Sequence, residues 1–95
     1  MTLTELRARR EAILNLASLW GAHNVRVFGS VARGEAGPNS DVDFLVEFEP
    51  HRSLLDHGGF LMDLRELLGC EVDVISEGGL RPRFRDQVMR EVRPL

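Results

Sequence analysis

Two periodicities alternate along this chain, and together they leave few folds open. Residues 24–28, 41–47 and 71–75 switch between apolar and polar side chains with period two, while the segments between them repeat apolar residues every three or four positions. Short strands and short helices cannot bury their apolar faces alone, so the pattern requires a small sheet with helices packed against it. The expected order is α-β-α-β-α-β-α, in one α/β (α+β) domain spanning residues 1–95.

Local signals sharpen the elements. Thr2 and Glu5 form a capping-box pattern, and Leu6, Ile13, Leu16, Ala17 and Trp20 lie near one stripe, which predicts a single opening helix ended by Gly21. In the first strand Val25 and Val27 share one face, with Arg26 and Phe28 on the other. Gly29-Ser30 cuts that strand off, residues 31–33 form a turn of helix at most, and Gly37-Pro38-Asn39 is loop. Ser53 and Asp56 begin a helix whose leucines fall at 54, 61, 64, 67 and 68. Gly58-Gly59 inside it predicts a kink or break, at roughly 1 kcal/mol per glycine relative to alanine. Gly69 caps that helix, and Phe84, Val88 and Val92, four apart, mark a final amphipathic one.

Composition excludes several chemistries. Cys70 is the one cysteine, so neither an internal disulfide nor a thiolate zinc cluster is available. No run approaches the ~18 to 20 apolar residues of a membrane span, and residues 1–10 lack the apolar centre of a secretion signal, so a cytoplasmic location is expected. All twelve cationic side chains are arginine, which removes lysine Schiff bases and the P-loop lysine. Charge is segregated: residues 1–33 hold five Arg against two Glu, residues 34–80 two Arg against eleven acids, and residues 81–95 five Arg against two acids. The acidic middle repels a bare phosphate backbone, so no direct nucleic-acid substrate is expected unless metal ions reverse the local field.

The segment from Gly29 to Asp43 carries the chemistry. A strand ending in Gly29-Ser30 and turning into a helix start offers free backbone N–H groups and a hydroxyl at one point, which suits a phosphate. Asp41 and Asp43, two apart on a strand, project from one face with their bases about 6.5 to 7 Å apart, which suits a hard divalent cation. Asp73 shares a strand face with Glu71 and Ile75, and it stands beside Asp43 if the two strands are neighbours. Three carboxylates so placed repel one another unless cations neutralise them, and two Mg²⁺ ions held in this way serve in-line attack at phosphorus. Each feature also has a plainer reading. Asp-x-Asp fits a solvated strand end, Asp73 an exposed edge-strand residue with Glu71 as a substitute, and Arg33 a favourable charge at a helix C-terminus. His23, His51 and His57 lack ligand spacing and read as solvated, while the arginines at 81, 83, 85, 90 and 93 read as a solvated helix face or as a docking site for an acidic partner.

Gly29-Ser30, Ala32-Arg33-Gly34 and Ser40-Asp41-x-Asp43 resemble the signature of the DNA polymerase β-like nucleotidyltransferase superfamily in its minimal, single-domain form. Ser53 to Asp56, the strand from Glu71 to Ile75 and the ending from Met89 to Val92 extend the likeness over nearly the whole chain. Minimal nucleotidyltransferases of this kind are typically MntA-type antitoxins encoded beside HEPN-domain toxin ribonucleases. The resemblance implies a palm-like fold, a small mixed sheet of three or four strands backed by about four helices. It also implies Mg-ATP as donor and transfer of AMP to a tyrosine hydroxyl of the HEPN partner, silencing its ribonuclease. Carried to this chain, Gly29 and Ser30 would hold the β- and γ-phosphates, and Asp41 and Asp43 would ligate both metals. Asp73 would complete the metal on the nucleophile side and accept the hydroxyl proton. Arg33 and Ser40 stand second among the nucleotide-binding residues, Ser40 more as an organiser of its loop.

Other classes compete with that expectation. A binding-only antitoxin would neutralise its toxin by occupancy, with the carboxylates structural. Transfer to a small molecule resembles longer chains with an extra substrate domain. This chain contains no tyrosine, so an acceptor tyrosine must come from another molecule. The toxin partner, or a second copy in a homodimer, is expected to complete the site.

Overall fold

The computed structural model describes residues 1–95. Four strands, β1 (Ala22–Phe28), β2 (Val42–Phe48), β3 (Val72–Ser76) and β4 (Arg93–Pro94), form one mixed sheet in the order β3-β2-β1-β4. β1 runs antiparallel to β2 and β4, while β2 and β3 are parallel. A parallel pair needs a long crossover, and the helix α4 (Leu54–Leu68) supplies it. Helices α1 (Leu3–Ala8) and α2 (Arg10–Leu19) precede the sheet, α3 (Gly29–Arg33) follows β1 directly, and α5 (Pro82–Glu91) precedes β4. The expected small mixed sheet backed by helices is therefore present, with four strands and five helices.

Strand parity decides where the core lies. Val25, Val27, Val42, Phe44, Val46, Val72 and Val74 project to one face, and Leu6, Ile13, Ala17, Phe60, Leu64 and Leu68 pack on it from α1, α2 and α4. Burying each such aliphatic or aromatic side chain contributes about 1.5 to 3 kcal/mol. The opposite face carries Arg26, Phe28, Asp43, Leu45, Asp73 and Ile75. A 3₁₀ turn at Glu77–Gly79 and α5 lie over part of it, and Leu45 is fully buried there.

Three expectations are corrected. The opening helix is two: Thr2 caps α1 as predicted, by accepting from the Glu5 N–H at 3.1 Å, but the chain breaks at Arg9, whose guanidinium donates to the Leu67 carbonyl at 2.6 Å. Gly58-Gly59 does not break α4, which runs uninterrupted from Leu54 to Leu68. A Cβ on Gly59 would stand 2.5 Å from the Trp20 ring, so the bare backbone there is the seat of an indole, which also donates to Asp63 at 2.7 Å. His57 is not solvated: it stacks on Phe48 with ring centroids 5.2 Å apart, and its Nε2 lies 2.7 Å from the Val74 carbonyl. That contact, with the Arg65 guanidinium donating to the Val72 carbonyl at 3.3 Å, occupies carbonyls of the edge strand β3 that would otherwise invite another strand.

Candidate active site

Register brings the site together. Phe28 is the cross-strand partner of Asp43, and Asp43 is the partner of Asp73, so the C-terminus of β1 and the starts of β2 and β3 present these residues in one row. Asp43 is partly buried, Asp73 is exposed, and Asp41 is exposed in the residue preceding β2. Neighbouring strands lie about 4.8 Å apart, so the two strand aspartates are as close as a sheet permits.

Gly29 meets the row from below. It adopts the left-handed φ of 73°, and a Cβ there would fall 2.3 Å from Asp43 Oδ2. The Asp43 carboxylate therefore rests against the bare backbone of Gly29, which places the predicted phosphate-binding turn beside one member of the predicted metal-binding pair. Electrostatics mark the same point. Burial pushes the Asp43 carboxyl up to about 6, the charges of Asp73 and then Asp41 push it the same way, and Arg33 pulls it down.

The aspartates form a donor set fit for a hard cation, since all their oxygens are carboxylate and two come from adjacent strands. As the side chains stand, no three Asp, Glu, His or Cys groups close on a single ligating point. Asp41 and Asp73 are both exposed.

The second-rank residues have defined positions. The Arg33 Nε donates to Glu35 at 2.9 Å and its other end to Glu91 of α5 at 3.1 Å, so at rest its charge bridges α3 to α5, a partnership the sequence did not suggest. The Ser40 hydroxyl accepts from the Gly37 N–H at 2.9 Å and closes the 37–40 turn, which agrees with a loop-organising part.

Beside the row lies a cavity of about 440 Å³. Phe28, Ile75, Leu80, Phe84 and Val88 form its apolar walls, and Arg33, Gln87 and Glu91 supply polar groups. Its size and its few polar groups suit a small organic ligand, and Gly29 belongs to both this cavity and the carboxylate row. Sequence reasoning did not assign the α5 wall to the site. Its signal was the Phe84–Val88 spacing of a helix that buries no residue completely.

A mixed sheet that aligns Asp43 with Asp73 beside the Gly29 turn is the frame of the site, and comparison with known proteins gives the family. The chain belongs to the nucleotidyltransferase domain family, whose profile matches residues 9–95. It is 42% identical over 77 residues, 81% of this chain and 78% of the relative, to the protein adenylyltransferase MntA of Thermococcus cleftensis. A solved structure provisionally described as a minimal nucleotidyltransferase shares 59% identity and a TM-score of 0.88, covering 100% of this chain and 97% of that one. A toxin-antitoxin crystal structure with AMP-PNP shares the fold, with a TM-score of 0.76 at 20% identity over 88% of this chain and 69% of that chain. The chain is thus a nucleotidyltransferase by family, and no helix in it is long and apolar enough to cross a membrane.

Proposed function

We propose that this nucleotidyltransferase moves AMP from Mg-ATP to a hydroxyl, a tyrosine, of a HEPN-type ribonuclease toxin in the cytoplasm, and so acts as that toxin's antitoxin. The observation that carries the reading is the Phe28–Asp43–Asp73 register with Gly29 seated against Asp43. The adenylyltransferase name of its 42%-identical relative supports it, and so does the AMP-PNP in the toxin-antitoxin structure of the same fold.

In this reading the backbone of Gly29 and the Ser30 hydroxyl hold the β- and γ-phosphates, and Arg33 exchanges a glutamate for phosphate oxygen. Asp41 and Asp43 would hold two magnesium ions, with Asp73 completing the set on the acceptor side, and ions held there would supply neutralisation of the charge on the phosphoryl oxygens and the leaving group. The tyrosine oxygen attacks the α-phosphorus, the bond from that phosphorus to the β-bridging oxygen breaks, and pyrophosphate departs with the electron pair. Asp73 accepts the phenolic proton, directly or through water. The acceptor comes from the partner, because this chain has no tyrosine.

Intact mass spectrometry of the co-expressed pair tests the proposal. The expected result is a partner heavier by one or more AMP residues under Mg-ATP, with no adduct and no neutralisation from the Asp41→Asn, Asp43→Asn double variant. Full neutralisation by that variant without any adduct would refute catalysis and leave inhibition by binding alone.

A further inference from the structure

The helix α5 carries two arginines that nothing in the chain neutralises. Of its three, Arg85 pairs with Glu77 at 3.4 Å, whereas Arg83 and Arg90 are exposed and make no ion pair. Asp86, three residues after one and four before the other, bonds to neither. The Arg83 guanidinium carbon instead stands 4.9 Å from the centre of the Phe84 ring, a cation–π contact with a side chain that walls the cavity.

Topology fixes how α5 lies. It follows β3 and precedes β4, which are opposite edges of the sheet. Three strand spacings add to about 14 Å, and ten helical residues rise about 15 Å, so α5 crosses the strands from one edge to the other. Its two flanks therefore look along the strands in opposite directions. Arg85 faces Glu77, which follows the far end of β3. Gln87 lines the cavity together with Gly29 and Arg33, at the catalytic end. Arg83, four residues before Gln87, and Arg90, three after it, share the Gln87 flank.

We infer that Arg83 and Arg90 form the second wall of the catalytic cleft and bind the phosphate chain of the nucleotide from the side opposite the carboxylates. The two walls match in length. From Arg83 to Arg90 the helix rises about 10.5 Å, and from Asp73 through Asp43 to Phe28 the row crosses two strand spacings, about 10 Å. Because α5 starts after β3 and ends against α3, Arg83 lies toward Asp73 and Arg90 toward Gly29 and Arg33. Charge gives these cations their use. Arg33, in the helix that starts at Gly29, is already shared between Glu35 and Glu91, so Arg83 and Arg90 bring the uncompensated positive charge on this side of the cleft. A guanidinium makes paired, charge-assisted hydrogen bonds to phosphate oxygens. The inference rests on the reading that the phosphates lie at Gly29-Ser30, and it adds the second side from which they are held.

Isothermal titration of the whole chain with Mg-ATP, AMP and inorganic tripolyphosphate is the test. Arg83→Gln and Arg90→Gln should each lower the ATP-to-AMP affinity ratio about tenfold and weaken tripolyphosphate by the same factor, while Arg83→Lys and Arg90→Lys keep most of the affinity. Arg85→Gln loosens the same helix from its other flank, so it controls for a merely structural effect, and its ratio should equal that of the wild type. An unchanged ratio in either glutamine variant, or an equal fall in Arg85→Gln, would overturn the proposal. So would unaltered nucleotide binding with lost association to the toxin, because the flank would then dock the acceptor protein. Transfer is read separately: weaker tripolyphosphate binding by the variants, with no AMP adduct made by the wild type, refutes the proposed activity and leaves this inference standing.

Discussion

Gly29 holds its place for two separable reasons. Its φ of 73° costs a residue with a Cβ about 1 to 2 kcal/mol, and that Cβ would also strike Asp43 Oδ2. Gly29→Ala should therefore lower stability by roughly 2 kcal/mol or more and abolish transfer, because the carboxylate must move. In the Gly29→Ala, Asp43→Ala double variant the collision is gone and only the dihedral cost remains. Denaturant melts of the four proteins should show positive coupling between the sites. Asp43 itself opposes folding when ionised. Its carboxyl titrates at about 6 against 3.8 in the unfolded chain, so between those values the folded state binds more protons and stability falls as pH rises. Asp43→Asn escapes that loss. In EDTA the variant should match the wild type below about pH 4 and exceed it by about 1 to 2 kcal/mol above about pH 7, allowing for solvent screening of a part-exposed group. Thermal melts at the two pH values check the sign. A wild type stabler than the variant at neutral pH would contradict the origin of the shift in burial and, after it, in the charges of Asp73 and Asp41.

At the scale of elements, adjacent glycines in α4 should respond oppositely. Gly59→Ala drives a Cβ into the Trp20 ring and should cost roughly 1 to 3 kcal/mol by overpacking. Gly58→Ala meets no atom and should gain up to about 1 kcal/mol from helix propensity. Urea midpoints that moved the same way for both would dismiss this account. The pair also shows where the sequence was legible. Strand parity placed Asp43 and Asp73 on one face, because alternation along a strand is a local property, and Ser53-x-x-Asp56 announced α4, because a capping box is local too. The failures are all tertiary. What fills the space over Gly59 is an indole 39 residues away, and what the Arg9 side chain meets at the break in the first helix is a carbonyl 58 residues away. His57 looked solvated because nothing nearby in sequence announces Phe48 or the edge of β3. β4 is two residues long and one is proline, so it carries no periodicity at all. The same limit applied at the site: the Gly29-Ser30 turn and the aspartates were readable as motifs, but the Arg33–Glu91 bridge depends on where α5 comes to rest.

For the molecule as a whole, α5 is lightly committed to the fold and supplies Phe84, Gln87, Val88 and Glu91 to the cavity. It buries no residue completely, and ion pairs hold it at both ends, Arg85 to Glu77 near its start and Glu91 to Arg33 near its close. Exposed pairs of this kind contribute about 0.2 to 1 kcal/mol each and weaken in salt, so α5 should open well below the free energy of global unfolding. A nucleotide whose phosphates lie at Gly29 and whose base enters the cavity would add contacts to Phe84, Val88 and Gln87 and would bind the closed arrangement alone. Linkage then requires the ligand to stabilise α5 preferentially. Hydrogen exchange in the presence of Mg-ATP should slow in α5 and at Gly29–Arg33 while the amides of α4 are unchanged. Phe84 is 46% exposed, so Phe84→Ala should shift the melting midpoint little yet weaken nucleotide binding about tenfold, or ~1.4 kcal/mol. Inorganic tripolyphosphate, which has no base, should bind the wild type and the variant equally. Equal loss of both ligands would mean that α5 shapes the phosphate turn rather than the base site, whereas loss of ATP alone assigns the cavity to the nucleoside.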